Sequence, residues 1–100
     1  MIIYVAHRYQ NSSINFERAK RITHDLQTAD KENVYICPLL VLSHSKYDEM
    51  THTEQVDLCL DILSVCDKMI VASDISKGVA KEIDFANLVG MEVEWREDTE

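Results

Sequence analysis

Residues 69–95 read MIVASDISKGVAKEIDFANLVGMEVEW: a β-prone run, a polar turn, an amphipathic helix and a second β-prone run. That order predicts a right-handed crossover between parallel strands. Within it, residues 76–90 place Val79, Ile83, Ala86 and Val89 on one apolar face at about 100° per residue, with Phe85 on its flank. Glu82 falls in the middle of that face, although Lys81, Asp84 and Asn87 show that polar positions were available. A carboxylate on a packed face must be paired, hydrogen-bonded or lining a cavity, because burying an isolated charge is too costly.

Working outward, residues 2–6 (IIYVA) form a continuous β-prone run suited to a strand covered on both faces. A polar loop over residues 7–13 follows, and Ser12 or Ser13 can cap a helix reaching about residue 29, with Phe16, Ala19, Ile22 and Leu26 at helical spacing. Residues 34–37 read as a second strand stopped by Pro38. Residues 39–53 read as a long loop, expected to cover a ligand site. A helix is predicted over about 53–65, with one stripe of Val56, Cys59, Leu60 and Leu63 and a second of Leu58, Ile62 and Val65. Two apolar stripes suit packing on its own sheet and on another subunit. The expected fold is α/β, a Rossmann-like (flavodoxin-like) three-layer sandwich with a small, mainly parallel sheet of four to five strands. Residues 1–100 make one domain, with an acidic tail from about residue 96.

Composition narrows the partners. A hydrophobic content of 46% with 2 Gly and 1 Pro describes an element-rich globular chain. A formal charge of −8 argues against nucleic acid or an anionic membrane, both of which need a basic footprint. Met1 leads into the first β-prone run with no basic leader region, and no apolar run is long enough to span a bilayer, so a cytoplasmic location is expected. Cys37, Cys59 and Cys66 sit in apolar segments without metal spacing and read as reduced core residues. His7, His24, His44 and His52 show no metal spacing either, and neither metal nor cofactor is expected.

In a doubly wound sheet the ligand lies beyond the carboxyl ends of the strands, where strand order reverses. The loops there are residues 7–13, 38–53 and 73–78. Residues 74–78 offer backbone N–H groups and the Ser76 hydroxyl at a helix N-terminus, suited to an anionic oxygen, and Gly78 either permits close approach or simply makes a turn. Three readings fit Glu82: a structural carboxylate paired with a basic residue, an acceptor for a sugar hydroxyl, or a nucleophile at an anomeric carbon. Arg8 either binds phosphate or pairs with a surface acid, and Tyr9 and Tyr47 either stack on a base or pack into the core. Asp57 and Asp61, one turn apart, fit a paired-acid site or a solvated face.

These residues resemble the nucleoside 2-deoxyribosyltransferase-like superfamily, and within it the short members common in phage and bacterial genomes. The likeness rests on Ile3 to Ala6, on Asn15, Arg18 and Ala19, on Cys66 and Asp67, and above all on Ile75-Ser76-x-Gly78-Val79-x-x-Glu82-Ile83-x-x-Ala86-x-x-x-Gly90. It implies a nucleoside or nucleotide ligand, a homo-oligomer whose neighbouring subunit helps close the pocket, and Glu82 as the nucleophile that takes the sugar from its base. Transferases of the superfamily often carry aspartate where this chain has Ser76, whereas nucleotide-hydrolysing relatives also show serine there. A second family aspartate falls at Cys59 here, unless Asp57 or Asp61 substitutes through a shifted helix. His7 and Arg8 replace small residues of many relatives. The expected function is binding of a nucleoside- or nucleotide-like ligand, through His7, Arg8, Tyr9, Tyr47, Asp57, Asp61, Ser76, Gly78 and Glu82, with or without cleavage of its N-glycosidic bond. The alternatives are a non-catalytic sponge or sensor for an ADP-ribose-type or cyclic nucleotide defence signal, and a structural oligomerisation module.

Overall fold

A computed structural model describes residues 1–42 and 47–96, with the side chain of Tyr47 left out. The strands are β1 (Ile2–Ala6), β2 (Val34–Ile36), β3 (Lys68–Val71) and β4 (Glu92–Trp95), and the helices α1 (Ser13–Ala29), α2 (Pro38–Leu42), α3 (His52–Leu63) and α4 (Lys77–Leu88). They form one all-parallel sheet in the order β2-β1-β3-β4, so the expected Rossmann-like α/β sandwich is the fold. The central strands pair Ile3 with Lys68 through Ala6 with Val71. Asp67 fixes the start of this ladder by donating its backbone N–H to Ile2 O at 2.8 Å and accepting the Ile2 N–H on its carboxylate at 2.7 Å.

Alternation along the strands feeds two cores. Tyr4, Ala6, Met69 and Val71 pack with Leu63 of α3 and Val79 and Ala86 of α4. Val5 and Ala72 pack with Ala19 and Ile22 of α1, together with Leu39 and Cys59. The three cysteines are buried and free, as their apolar settings predict. Glu92 and Glu94 alternate with Val93 and are bridged by Lys68 at 3.4 and 2.9 Å. Trp95 closes this edge strand and is 58% exposed.

Local chemistry sets the helix ends. Ser12 is the cap of α1, accepting the Asn15 N–H, and the two residues before it, Gln10 and Asn11, turn the chain with φ of 53° each. Thr51 and Glu54 form a reciprocal capping box at the start of α3, which places that helix one residue earlier than its apolar stripes suggest. α4 is capped by Ser76 and ends at Gly90, φ 74°, with Met91 N–H reaching Ala86 O at 2.8 Å and Gly90 N–H reaching Asn87 O at 3.2 Å. That paired closure needs a left-handed residue, which glycine adopts without a Cβ penalty.

Two expectations change. The stretch read as a loop after Pro38 begins with α2: Pro38 supplies the fixed φ of a first helical residue, and Cys37 O accepts the N–H groups of Leu40 and Val41. Ser43 to Lys46 of that stretch, which include His44, lie outside the described residues, as does the tail beyond Arg96. Leu58 and Ile62 of the second α3 stripe are half-buried against the two cores of their own chain, and Val65 is exposed. Val89, expected on the buried face of α4, is exposed because it caps the helix beyond its last packed turn.

Candidate functional site

The strand order reverses between β1 and β3, whose following helices α1 and α4 belong to opposite cores. The crevice this opens at the carboxyl ends of the strands holds a cavity of about 440 Å³. His7, Tyr9, Gln10 and Asn11 line it from the first loop, and Pro38, Leu39 and Met50 from the connection after β2. His52, Gln55, Val56 and Cys59 come from α3; Ser76, Lys77, Gly78, Val79 and Glu82 complete the wall from α4.

Glu82 is 6% exposed. Its carboxylate accepts the hydroxyl proton of Tyr4, which rises from the middle of β1 beneath it. Burial pushes the Glu82 carboxyl up to about 7, and the Tyr4 hydrogen bond pulls the other way. Burial, followed by the neighbouring Glu82 charge, pushes the Tyr4 phenol well above its ordinary range, so Tyr4 keeps its proton and donates. Burial likewise pushes the Cys37 thiol up to about 12, which makes it a packing group rather than a nucleophile.

The walls are held by bonds between loops. His7 Nδ1 lies 2.7 Å from the Arg8 carbonyl oxygen, and because a carbonyl only accepts, that nitrogen carries the proton. Tyr9 donates its hydroxyl to Asp48 at 2.6 Å, tying the first loop to the 3-10 turn at Tyr47–Glu49; desolvation and this bond push the phenol up to about 12. Gln55 donates to the Asn11 side-chain oxygen at 3.3 Å and joins α3 to the first loop.

Of the residues singled out in the sequence, His7, Tyr9, Ser76, Gly78 and Glu82 are brought together around the cavity. Arg8 is not among the lining residues: its Nη1 pairs with Asp74 at 2.9 Å and its Nε donates to Asn15 at 3.3 Å. Asp57 and Asp61 lie on the exposed face of α3, away from the Val56 and Cys59 side that reaches the cavity. Neither substitutes for a pocket acid, because no shift of the helix turns them inward. The Tyr47 side chain lies outside the described residues. Sequence reasoning passed over Tyr4 and Gln55. A tyrosine inside a buried strand and a glutamine one turn before Cys59 on the packed side of a helix each needed a polar partner, and that need was the available signal.

Gly78 has no positive φ, and a methyl group built on it meets His52, Val56 and Ser76 at no less than 3.7 Å. Folding alone does not require glycine there. Gly78→Ala is expected to raise stability by about 0.4–1 kcal/mol in a thermal melt, through reduced freedom of the unfolded chain.

Among the described residues no group of three or more His, Cys, Asp or Glu side chains could hold a metal ion, and no helix is long and apolar enough to cross a membrane. No curated protein and no solved structure matches the chain. A sequence model does match residues 1–96, which take in every strand and helix of the sandwich, and on that extent the chain belongs to the DUF7768 family, a domain of unknown function.

Proposed function

We propose that the cavity binds a nucleoside- or nucleotide-like ligand with its sugar against Glu82. The observation that carries this reading is a carboxyl nine-tenths buried, held by Tyr4, at a cavity on the switch point of a parallel sheet. The resemblance to the nucleoside 2-deoxyribosyltransferase-like superfamily supports it. Such a carboxyl suits a sugar in two ways. It accepts a hydroxyl proton, and, once ionised in a site with little water, it can attack an anomeric carbon. In that step the carboxylate oxygen bonds to the carbon, the glycosidic C–N bond breaks with its electron pair leaving on the base, and the base takes up a proton. Water or a second base then releases the sugar from Glu82.

Sequestration without cleavage is a second reading, favoured by the fact that Glu82 is the one carboxyl among the described lining residues. Base departure therefore has no second carboxyl among the described wall residues to assist it.

Incubating the protein with deoxynucleosides, nucleoside monophosphates, and cyclic and ADP-ribose-type nucleotides, followed by chromatography, separates the readings. Free base released by wild type and not by Glu82→Gln identifies cleavage. Ligand recovered intact only after denaturation identifies sequestration, and no retention of any probe refutes ligand binding and leaves the oligomerisation module. Gly78→Ala, although more stable, is expected to retain less of any ligand, because its methyl group takes space in the wall.

A further inference from the structure

We propose that Arg8 is a phosphate-binding residue whose place for the anion is held by the chain's own Asp74, and that the phosphate of an incoming nucleotide displaces that carboxylate. This deepens the reading above and rests on it: the sugar sits at Glu82, and the ligand is phosphorylated.

Arg8 is fixed by two bonds that do not involve Asp74. Its backbone N–H donates to Ser73 Oγ at 2.8 Å, across the two central strand ends, and its Nε donates to Asn15 Oδ1 at 3.3 Å. Asn15 is buried and is itself anchored by donating to the Tyr9 carbonyl at 3.1 Å. The guanidinium is thus positioned by groups that remain when its acid partner leaves. Asp74 is the opposite case: its side chain is 88% exposed, against 27% for Arg8. An ion pair with so exposed a carboxylate is weak, because water replaces the lost bond. A phosphate brings more charge and more acceptor oxygens to the same fork of donors.

The pair also stands in the right place. His7 and Tyr9, on either side of Arg8, line the cavity, and so does Ser76, two residues beyond Asp74. The phosphate of a ligand whose sugar meets Glu82 would then lie at this rim. On a chain with a formal charge of −8, an anion needs a local cation. The carboxylate keeps Arg8 paired when no ligand is present and gives way to a stronger anion.

The test is calorimetric titration of wild type, Arg8→Gln, Asp74→Asn and the double variant with the 2′-deoxynucleosides, their 5′-monophosphates and inorganic phosphate. Arg8→Gln is expected to weaken monophosphate binding about tenfold or more while leaving nucleosides within about twofold. Asp74→Asn is expected to tighten monophosphate binding several-fold, and that gain is lost when Arg8 is also replaced. An equal gain in both backgrounds would mean a long-range charge effect and would overturn the proposal, as would a monophosphate-to-nucleoside ratio insensitive to Arg8. Binding of nucleosides alone overturns this inference and spares the reading of the sugar site, whereas no binding of any probe by wild type overturns both. Asp74→Asn changes one exposed side chain, so its fold is not at issue.

Discussion

Glu82→Gln stabilises the folded chain by about 2–3 kcal/mol near pH 8, and the gain shrinks toward zero near pH 4. The Glu82 carboxyl titrates at about 7 in the folded chain against an ordinary value of 4.5. The folded state therefore holds a proton that the unfolded chain releases between those values. The Glu82 contribution to wild-type stability is highest below the unfolded value, falls as pH rises through this window, and levels off above about 7. The full difference is on the order of 3 kcal/mol, from about 1.4 kcal/mol per pKa unit. Glutamine keeps the shape and an acceptor for Tyr4 but has no charge to desolvate, so it escapes most of this cost; its unmatched N–H groups account for the smaller figure. Urea denaturation of both proteins across this pH range is the measurement. Parallel curves would show that Glu82 is not desolvated.

Tyr4→Ala is expected to cost about 3–5 kcal/mol, a large share of the roughly 5–15 kcal/mol that holds a domain of this size. Tyr4 is 0% exposed and packs in the core beneath α3 and α4, so truncation leaves a cavity that the central strand cannot close. Tyr4→Phe separates shape from chemistry. It fills the same volume and removes the hydroxyl that the Glu82 carboxylate accepts. The expected cost near neutral pH is about 1–3 kcal/mol, the price of leaving a buried acceptor unpaired. Since this hydrogen bond lowers the Glu82 value, its loss moves the titration further above 7. In a cleaving enzyme the acid limb of the rate profile shifts in the same direction; in denaturation the pH-dependent window shifts with it. A Phe variant with an unmoved Glu82 titration would show that Tyr4 is only a packing residue.

Much of this arrangement was legible in the chain. Ile2 to Ala6 and Met69 to Val71 are unbroken apolar runs, and Phe16, Ala19, Ile22 and Leu26 repeat at helical spacing, so periodicity alone separates strands from helix. Glu82 declared itself by falling on the wrong face. The apolar residues after Pro38 were ambiguous because a run of four fits a buried strand, a loop or about one turn of helix equally well. Asp57 and Asp61 satisfied the spacing of a paired site, but spacing does not say which way a pair faces; the opposite stripe of Val56, Cys59 and Leu63 decides that, and it turns them to solvent. Arg8 was placed in the correct loop, yet its partner Asp74 lies 66 residues away, a contact fixed by the adjacency of β1 and β3. Tyr4 and Glu82 are 78 residues apart and meet for the same reason.

The exposed position of Trp95 governs how such measurements are read. It is the single tryptophan, on the outermost strand, joined to the sheet through β3 and through the bond from Arg96 N–H to Val71 O. Its indole is already largely in water, so intrinsic fluorescence changes little when the core opens and responds first to fraying of the sheet's edge. Melts followed at that wavelength would report peeling of β4 ahead of global unfolding, while far-ultraviolet circular dichroism follows the helices that enclose Glu82. A gap between the two midpoints would measure how independently the last strand detaches.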